Sequence, residues 1–363
     1  MTAQSGTDAE GGRLRLWLSL LLAIVIGAVF LILAVRTVPV DTVWDYVQQI
    51  DWRQMGLAVA AFTALYALCH AARIVRWWYL VRPIGDVDAP EVFRIGTVGF
   101  AAILLLPLRL GELVRPFLLA KRNEVSGAAA LATIVVERVL DGLVITGLLF
   151  VGLWTYQGDA STELVRTVGT VAAAIFVPAV VMCVVAAYSR RLARKVTMAT
   201  LGRVSQKLGE KVAGLLEQFA SGFGAMVRRG EMVPFLVATA VYWTGNAMSM
   251  WVLLTMGFDL ELAPWEVVTV MAVLVVGIMV PAGPALAGNF EYFMVQGFAL
   301  FVPVDQPEVG GQAGAYAAMV HLLQIAIIVI PGVWVMIRHR ALRLNRRTVE
   351  ASRSIENAEE SES

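Results

Sequence analysis

The sequence predicts an all-α integral membrane protein of about six transmembrane helices plus two re-entrant hairpins, eight apolar segments or more. Composition and spacing carry that reading. Of the 363 residues, 58% are hydrophobic and only 16% are charged, where soluble domains run at about half and about a quarter. Mean hydropathy is +0.72. The apolar surplus falls in blocks of roughly 20 residues, the length that crosses a hydrocarbon core as a helix. A soluble fold of this length would use shorter, amphipathic elements.

Six blocks read as full crossings: 14–35, 54–75, 125–154, 163–187, 232–256 and 313–337. The first follows Arg13 and Arg15, as a secretory signal would. It is longer than a signal core, and Val35-Arg36-Thr37 lacks a small-x-small cleavage pattern, so it reads as an uncleaved span. Lys and Arg collect on the cytoplasmic side of a membrane. The stretch from Ser189 to Glu231 carries Arg190, Arg191, Arg194, Lys195, Arg203, Lys207, Lys211, Arg228 and Arg229, and the tail opens with Arg338 and Arg340. The loops at Gln157-Gly158-Asp159, at Asp259-Leu260-Glu261 and from Asp305 to Gln312 hold no basic residue. Both termini are therefore expected in the cytoplasm of a multi-pass protein of the cell (plasma) membrane.

Residues 1–13 then form a cytoplasmic tail and 14–337 the transmembrane domain. That domain includes 189–231, whose spaced Leu and Val residues suggest an amphipathic helix on the inner leaflet. Residues 338–363, basic and then acidic, read as a disordered cytoplasmic tail.

Two apolar stretches do not fit as spans. Val92 to Leu108 is short and ends at Pro107, and a crossing there would put Arg109, Arg115, Lys121 and Arg122 outside. A hairpin entering and leaving from the cytoplasm keeps the charge rule. The second, about 265–303, is broken by Pro281-Ala282-Gly283-Pro284 and by Gly288 and lacks basic flanks; it reads as a hairpin from the outer face, with two thin spans as the alternative. Irregular backbone at membrane depth persists only where protein buries it or a wet cavity receives it. One broken segment from each face is the pattern of inverted repeats meeting near the midplane.

Ionisable residues in such segments are expensive and mark function. Arg109, Glu112 and Arg115, three apart, share a helix face, with Pro107 starting the turn and Gly111 permitting close approach. Two guanidinium forks around one carboxylate suit a phosphate headgroup. Glu137, Arg138 and Asp141 lie mid-span, Glu137 about 18 Å along the helix from its start, too deep to reach water. They are expected to face the bundle interior, as an ion network that pairs with Arg109 or Arg115 or as a proton-responsive carboxylate site. Pro281, Gly283, Pro284 and Gly288 free backbone groups in the second hairpin, with Glu291 just beyond and His321 on the last span able to face the same cavity.

Other chemistry finds no pattern. Cys69 and Cys183 lie far apart in apolar segments, with neither disulfide nor metal spacing. There is no phosphate-binding Gly-rich loop and no metalloprotease or nucleophile-elbow motif. No cofactor, metal or nucleic-acid partner is expected, nor catalysis.

Taken together, Pro107-x-Arg109-x-Gly111-Glu112-x-x-Arg115, then Glu137-Arg138-x-x-Asp141, then the Pro/Gly break ending in Glu291, resemble the lysylphosphatidylglycerol synthase transmembrane, or flippase-like, family. The resemblance runs from about Leu16 to Ile337, and His321 stands where many relatives are expected to carry a basic residue. It implies a lipid-handling membrane protein, in some members one that moves a headgroup-modified lipid between leaflets. Synthase members carry a soluble C-terminal domain that transfers lysine from charged tRNA. The short tail here implies no such aminoacylation. The expected function is a lipid transporter for an anionic phospholipid, or a polyprenyl- or glycolipid, with a homo-oligomer or partner enzyme left open. The alternative is a membrane glycosyl- or headgroup transferase, or an accessory subunit of lipid or glycolipid assembly.

Overall fold

The computed structural model describes residues 21–339 apart from 23, 123–124, 259, 281–282 and most of 156–187. Asp259, Pro281, the side chain of Arg109, most of the predicted span 163–187, the predicted tail 1–13 and all of the predicted tail 338–363 but Arg338 and His339 thus lie outside the described residues. Every regular element among the described residues is helical.

Helix α1 (Ile24–Thr37) meets α2 (Val40–Gln49) at a 65° bend. The turn holds Pro39, which carries no N–H to continue α1. Helix α3 (Trp52–Val81) begins where the Asp51 carboxylate accepts the Arg53 N–H at 2.9 Å. Its 30 residues run about 45 Å. Helix α4 (Ala89–Leu105) stops before Pro107, and a 3-10 turn (Pro107–Leu113) folds back onto it. A side chain at Gly111 would overlap the Ala102 carbonyl, so only glycine lets the turn lie this close. Helix α5 (Val114–Arg122) leads into α6 (Gly127–Thr155).

The basic stretch forms two helices rather than one, α7 (Arg190–Val204) and α8 (Gln206–Arg229). Ser205 is extended, and its hydroxyl accepts the Leu208 N–H to cap the second helix. The two pack on each other, and α8 also packs on α6, burying Leu216, Phe219 and Ala220. Leu192, Val204, Leu208 and Leu215, among the spaced positions read as facing a leaflet, stay exposed, and the packing on α6 uses the neighbouring apolar side chains instead.

Helix α9 (Met232–Gly257) packs along α3, and the Cys69 thiol donates to the Tyr242 carbonyl across that contact. Helix α10 (Pro264–Gly277) breaks, passes through a 3-10 turn (Pro284–Leu286) and returns as α11 (Asn289–Phe298) against α10. Helix α12 (Pro307–Arg338) packs on α4, α2 and α11. The two 3-10 turns touch each other.

By length and composition, α3 and α12 can cross a membrane, and α1 with α2 makes a third if the bent pair is one span. Helix α10 is apolar but short, 14 residues. Exposed Leu21, Leu22, Ile24, Leu57, Leu68, Leu322 and Ile330 give the outside of the bundle an apolar surface suited to lipid.

Candidate functional site

Arg73 and Arg76, three residues apart on α3, project toward α6. Arg76 is wholly buried. It donates from Nη2 to Glu137 Oε1 at 2.8 Å and grips both oxygens of Asp141, the Oδ2 contact at 3.0 Å. Glu137 and Asp141, four apart on α6, face the same way for this reason. Arg115 on α5 is also wholly buried and donates to Glu137 Oε2 at 2.7 Å. Arg138 closes the set, 3.0 Å from Glu137 Oε1 and 3.0 Å from Asp141 Oδ2, with Glu112 Oε1 at 3.9 Å.

Removing such charges from water costs several kcal/mol per ion unless other contacts compensate. Here three arginines converge on Glu137. Aromatic faces add to this, Phe100 lying 4.2 Å and Trp77 5.3 Å from the Arg115 guanidinium carbon. The Trp77 indole in turn donates to Thr133.

A cavity of about 140 Å³ opens beside this network. Arg73, Glu112, Arg138 and Asp141 line one side, with Tyr242 and Asn246 of α9. Leu286, Phe290 and His321 line it from the broken segment and α12. Arg73 has no carboxylate partner among the described residues. Its guanidinium carbon rests 4.1 Å from the Phe100 ring and 5.6 Å from Tyr242. The buried Nε groups of Arg73, Arg76, Arg115 and Arg138 find no acceptor among the described residues, nor does Nη2 of Arg115. Four described arginines (73, 76, 115, 138) against three carboxylates (112, 137, 141) leave one net positive charge. A region with surplus donors and surplus positive charge suits an anion.

The second cluster joins the broken segment to α12. His321 Nδ1 lies 2.6 Å from Glu291 Oε1, and Nε2 lies 2.6 Å from the Ala285 carbonyl oxygen. Glu291 Oε2 accepts the Gly288 N–H at 2.8 Å. The Phe290 ring stacks on the imidazole at 4.2 Å, nearly parallel. Asn289, fully buried, ties back to the Val280 carbonyl, clamping the break. Gly283 and Pro284 enter the 3-10 turn, where Ala285 and Leu286 hold positive φ of 57° and 61°. Such left-handed geometry costs about 1–2 kcal/mol for a residue with a side chain.

Of the residues singled out in the sequence, Glu112, Arg115, Glu137, Arg138 and Asp141 meet in one network, and Glu291 meets His321. Arg115 does not line the cavity; it lies behind it, holding Glu137. Arg73 and Arg76 were missed because they stand at the end of the span read as 54–75. The signal was available: Trp77-Trp78-Tyr79-Leu80-Val81 continues the apolar pattern past Arg76, so the helix does not end at these cations.

The sequence profile of the lysylphosphatidylglycerol synthase transmembrane region matches residues 20–332. A protein named glycosyltransferase AglD from Haloferax volcanii is 28% identical over 308 residues, covering 77% of this chain and 48% of its own. The chain thus spans about half the length of that curated relative. No solved structure matches. With most of its length covered by that profile and its apolar helices around a buried charge network, the chain belongs to the lysylphosphatidylglycerol synthase transmembrane-region family of membrane proteins.

Proposed function

We propose that this protein is a lipid transporter that binds an anionic, phosphate-headgroup lipid and moves it between leaflets. The observation that carries the reading is Arg73: a cation on the cavity wall, between two aromatic faces, with no carboxylate partner among the described residues. The headgroup enters the cavity and meets Arg73 and Arg138, while Glu112 and Asp141 keep Arg138 oriented when the cavity is empty. Arg76, Arg115 and Glu137 form the fixed electrostatic floor. The acyl or prenyl tail stays in lipid.

In this reading the chain crosses the plasma membrane about six times with both termini in the cytoplasm. The turn at Pro107–Leu113 enters from the inner face and the turn at Pro284–Leu286 from the outer face, as related halves of an inverted repeat. Their mutual contact supports such a meeting near the midplane. The cargo is a phospholipid or a polyprenyl- or glycolipid, and a second copy or a partner enzyme can complete the pathway.

The test is transfer of tail-labelled phosphatidylglycerol between leaflets in reconstituted liposomes. Arg73→Gln removes charge-assisted hydrogen bonds of about 1.5–3 kcal/mol, so transfer at limiting lipid should fall about tenfold or more. An unchanged rate in both Arg73→Gln and the combined Arg73→Gln/Arg138→Gln variant would sink the reading.

A second reading, a membrane glycosyl- or headgroup transferase, is favoured by the name of the relative. Its discriminator is product release: purified protein incubated with a lipid-linked sugar should liberate or transfer the sugar if this reading holds, and leave it intact if the chain only moves lipid.

A further inference from the structure

The contact between Glu291 and His321 sets a proton count. The Ala285 carbonyl can only accept, so His321 Nε2, 2.6 Å away, carries a hydrogen. Nδ1 lies 2.6 Å from Glu291 Oε1. Two bare lone pairs would repel at that distance, so a second hydrogen lies between them. The other carboxylate oxygen is already occupied by the Gly288 N–H, which favours the ionised carboxylate. The Phe290 face stacked on the ring favours a cationic imidazole. Both preferences put the second hydrogen on Nδ1.

From this geometry we infer that the Glu291–His321 pair is a proton-binding site whose proton travels with the headgroup, making lipid transfer an electroneutral proton symport. The inference rests on the lipid-transfer reading for its cargo, but the proton count does not.

Two physical consequences link proton and cargo. A neutral imidazole has one N–H for two acceptors, so loss of the proton must release either Glu291 or the Ala285 carbonyl. Ala285 and Leu286 are held at positive φ, so a freed turn relaxes and the cavity wall formed by Leu286 and Phe290 moves. The second consequence is charge. The titratable and charged groups facing His321 across the cavity are Arg73 and the Tyr66 phenol from α3, Glu112 from the first turn, Arg138 and Asp141 from α6, and the Tyr242 phenol from α9, with neutral Gln324 on its own helix. The two positive and two negative charges on the wall cancel, and the surplus positive charge lies behind it, where Arg76 and Arg115 share Glu137. With its proton the pair is neutral as a unit; without it, one carboxylate is left uncompensated and repels an anionic headgroup. Headgroup and proton therefore occupy the site together. The proton is taken from water on the entry side onto Nδ1 and released to water on the exit side, one per headgroup.

The experiment has two arms. In liposomes of phosphatidylcholine with trace tail-labelled phosphatidylglycerol, a gradient of one pH unit should drive the label to about tenfold asymmetry between leaflets at one proton per headgroup. A potassium–valinomycin potential should leave that asymmetry unchanged. His321→Gln should abolish the asymmetry, judged by the ratio of label in the two leaflets rather than by the rate. Label that moves but equilibrates evenly under the gradient overturns the symport while leaving lipid transfer standing. If no label moves at all, the transport reading fails, and the second arm decides the proton site. There, ¹⁵N-imidazole NMR of the full chain in micelles near neutral pH, with His321 assigned by its loss in His321→Gln, should show both ring nitrogens carrying hydrogen. One bare nitrogen overturns the proton site. In Glu291→Gln the second hydrogen should be lost, and its retention overturns the role assigned to the carboxylate.

Discussion

Arg76 on α3 and Glu137 on α6, 61 positions apart in sequence, meet at 2.8 Å with neither side chain exposed to solvent. The pair locks two helices together at the depth where the cavity opens. Arg115 and Arg138 approach the same carboxylate, so Glu137 is the common anion of three cations.

Removing one partner of a buried pair leaves its mate charged and alone. Arg76→Ala should destabilise the fold by about 3–5 kcal/mol, read as a lowered thermal midpoint by size-exclusion in detergent. The exposed pair Arg194–Glu217, 3.4 Å apart, is the control. Arg194→Ala should cost less than about 1 kcal/mol. Equal losses in the two variants would contradict the assignment of Arg76 to the structural floor of the site.

Gly99 on α4 faces the stem of Arg115, and an added Cβ would overlap the Arg115 side chain. Gly99→Ala should displace Arg115 from Glu137 and lower lipid transfer. Gly56 on α3 meets nothing within 4 Å. Gly56→Ala should leave transfer unchanged, and a matching drop in both variants would mean a general glycine effect.

Arg73 and Arg94 are both cations on helices near the site, but Arg94 is paired with Glu91 at 3.3 Å and does not line the cavity. Arg73→Gln should reduce saturable binding of phosphatidylglycerol in native mass spectrometry, while Arg94→Gln should not. Loss in both would reduce the effect to net charge.

Asn289 ties the start of α11 to the Val280 carbonyl while fully buried. Asn289→Leu is expected to leave that carbonyl without its partner at a cost of about 1–3 kcal/mol and to loosen the break. Hydrogen exchange at Gly283 to Gly288 should then rise relative to α12, and unchanged protection there would remove Asn289 from the clamp.

The membrane class, the two breaks and most of the charged positions were legible in the sequence. Apolar blocks, prolines and charges inside apolar helices are local features, and lipid punishes each of them individually. Glu137 and Asp141 had to find partners because charge at that depth cannot stand alone. Arg115 was legible as a partner, and it meets Glu137; Arg76 was not. Arg73 and Arg76 looked like arginines at a span's end, where a long side chain can reach water. Only the packing of α3 against α6 turned Arg76 inward and left Arg73 on a cavity wall.

The basic stretch 189–231 shows the same division. Its amphipathic spacing was visible, and Leu192, Val204, Leu208 and Leu215 of that stripe stay exposed, but only the contact with α6 shows that Leu216 and Phe219 beside it are buried. The sequence by itself determined that this is a helical membrane protein with charge and broken backbone in its apolar segments, because those costs are set residue by residue. Tertiary structure alone decided that His321 closes on Glu291 and the Ala285 carbonyl, and that Arg73 lies on the cavity wall. A hydrogen bond across 30 or more residues depends on how helices cross, and no one-dimensional pattern records that.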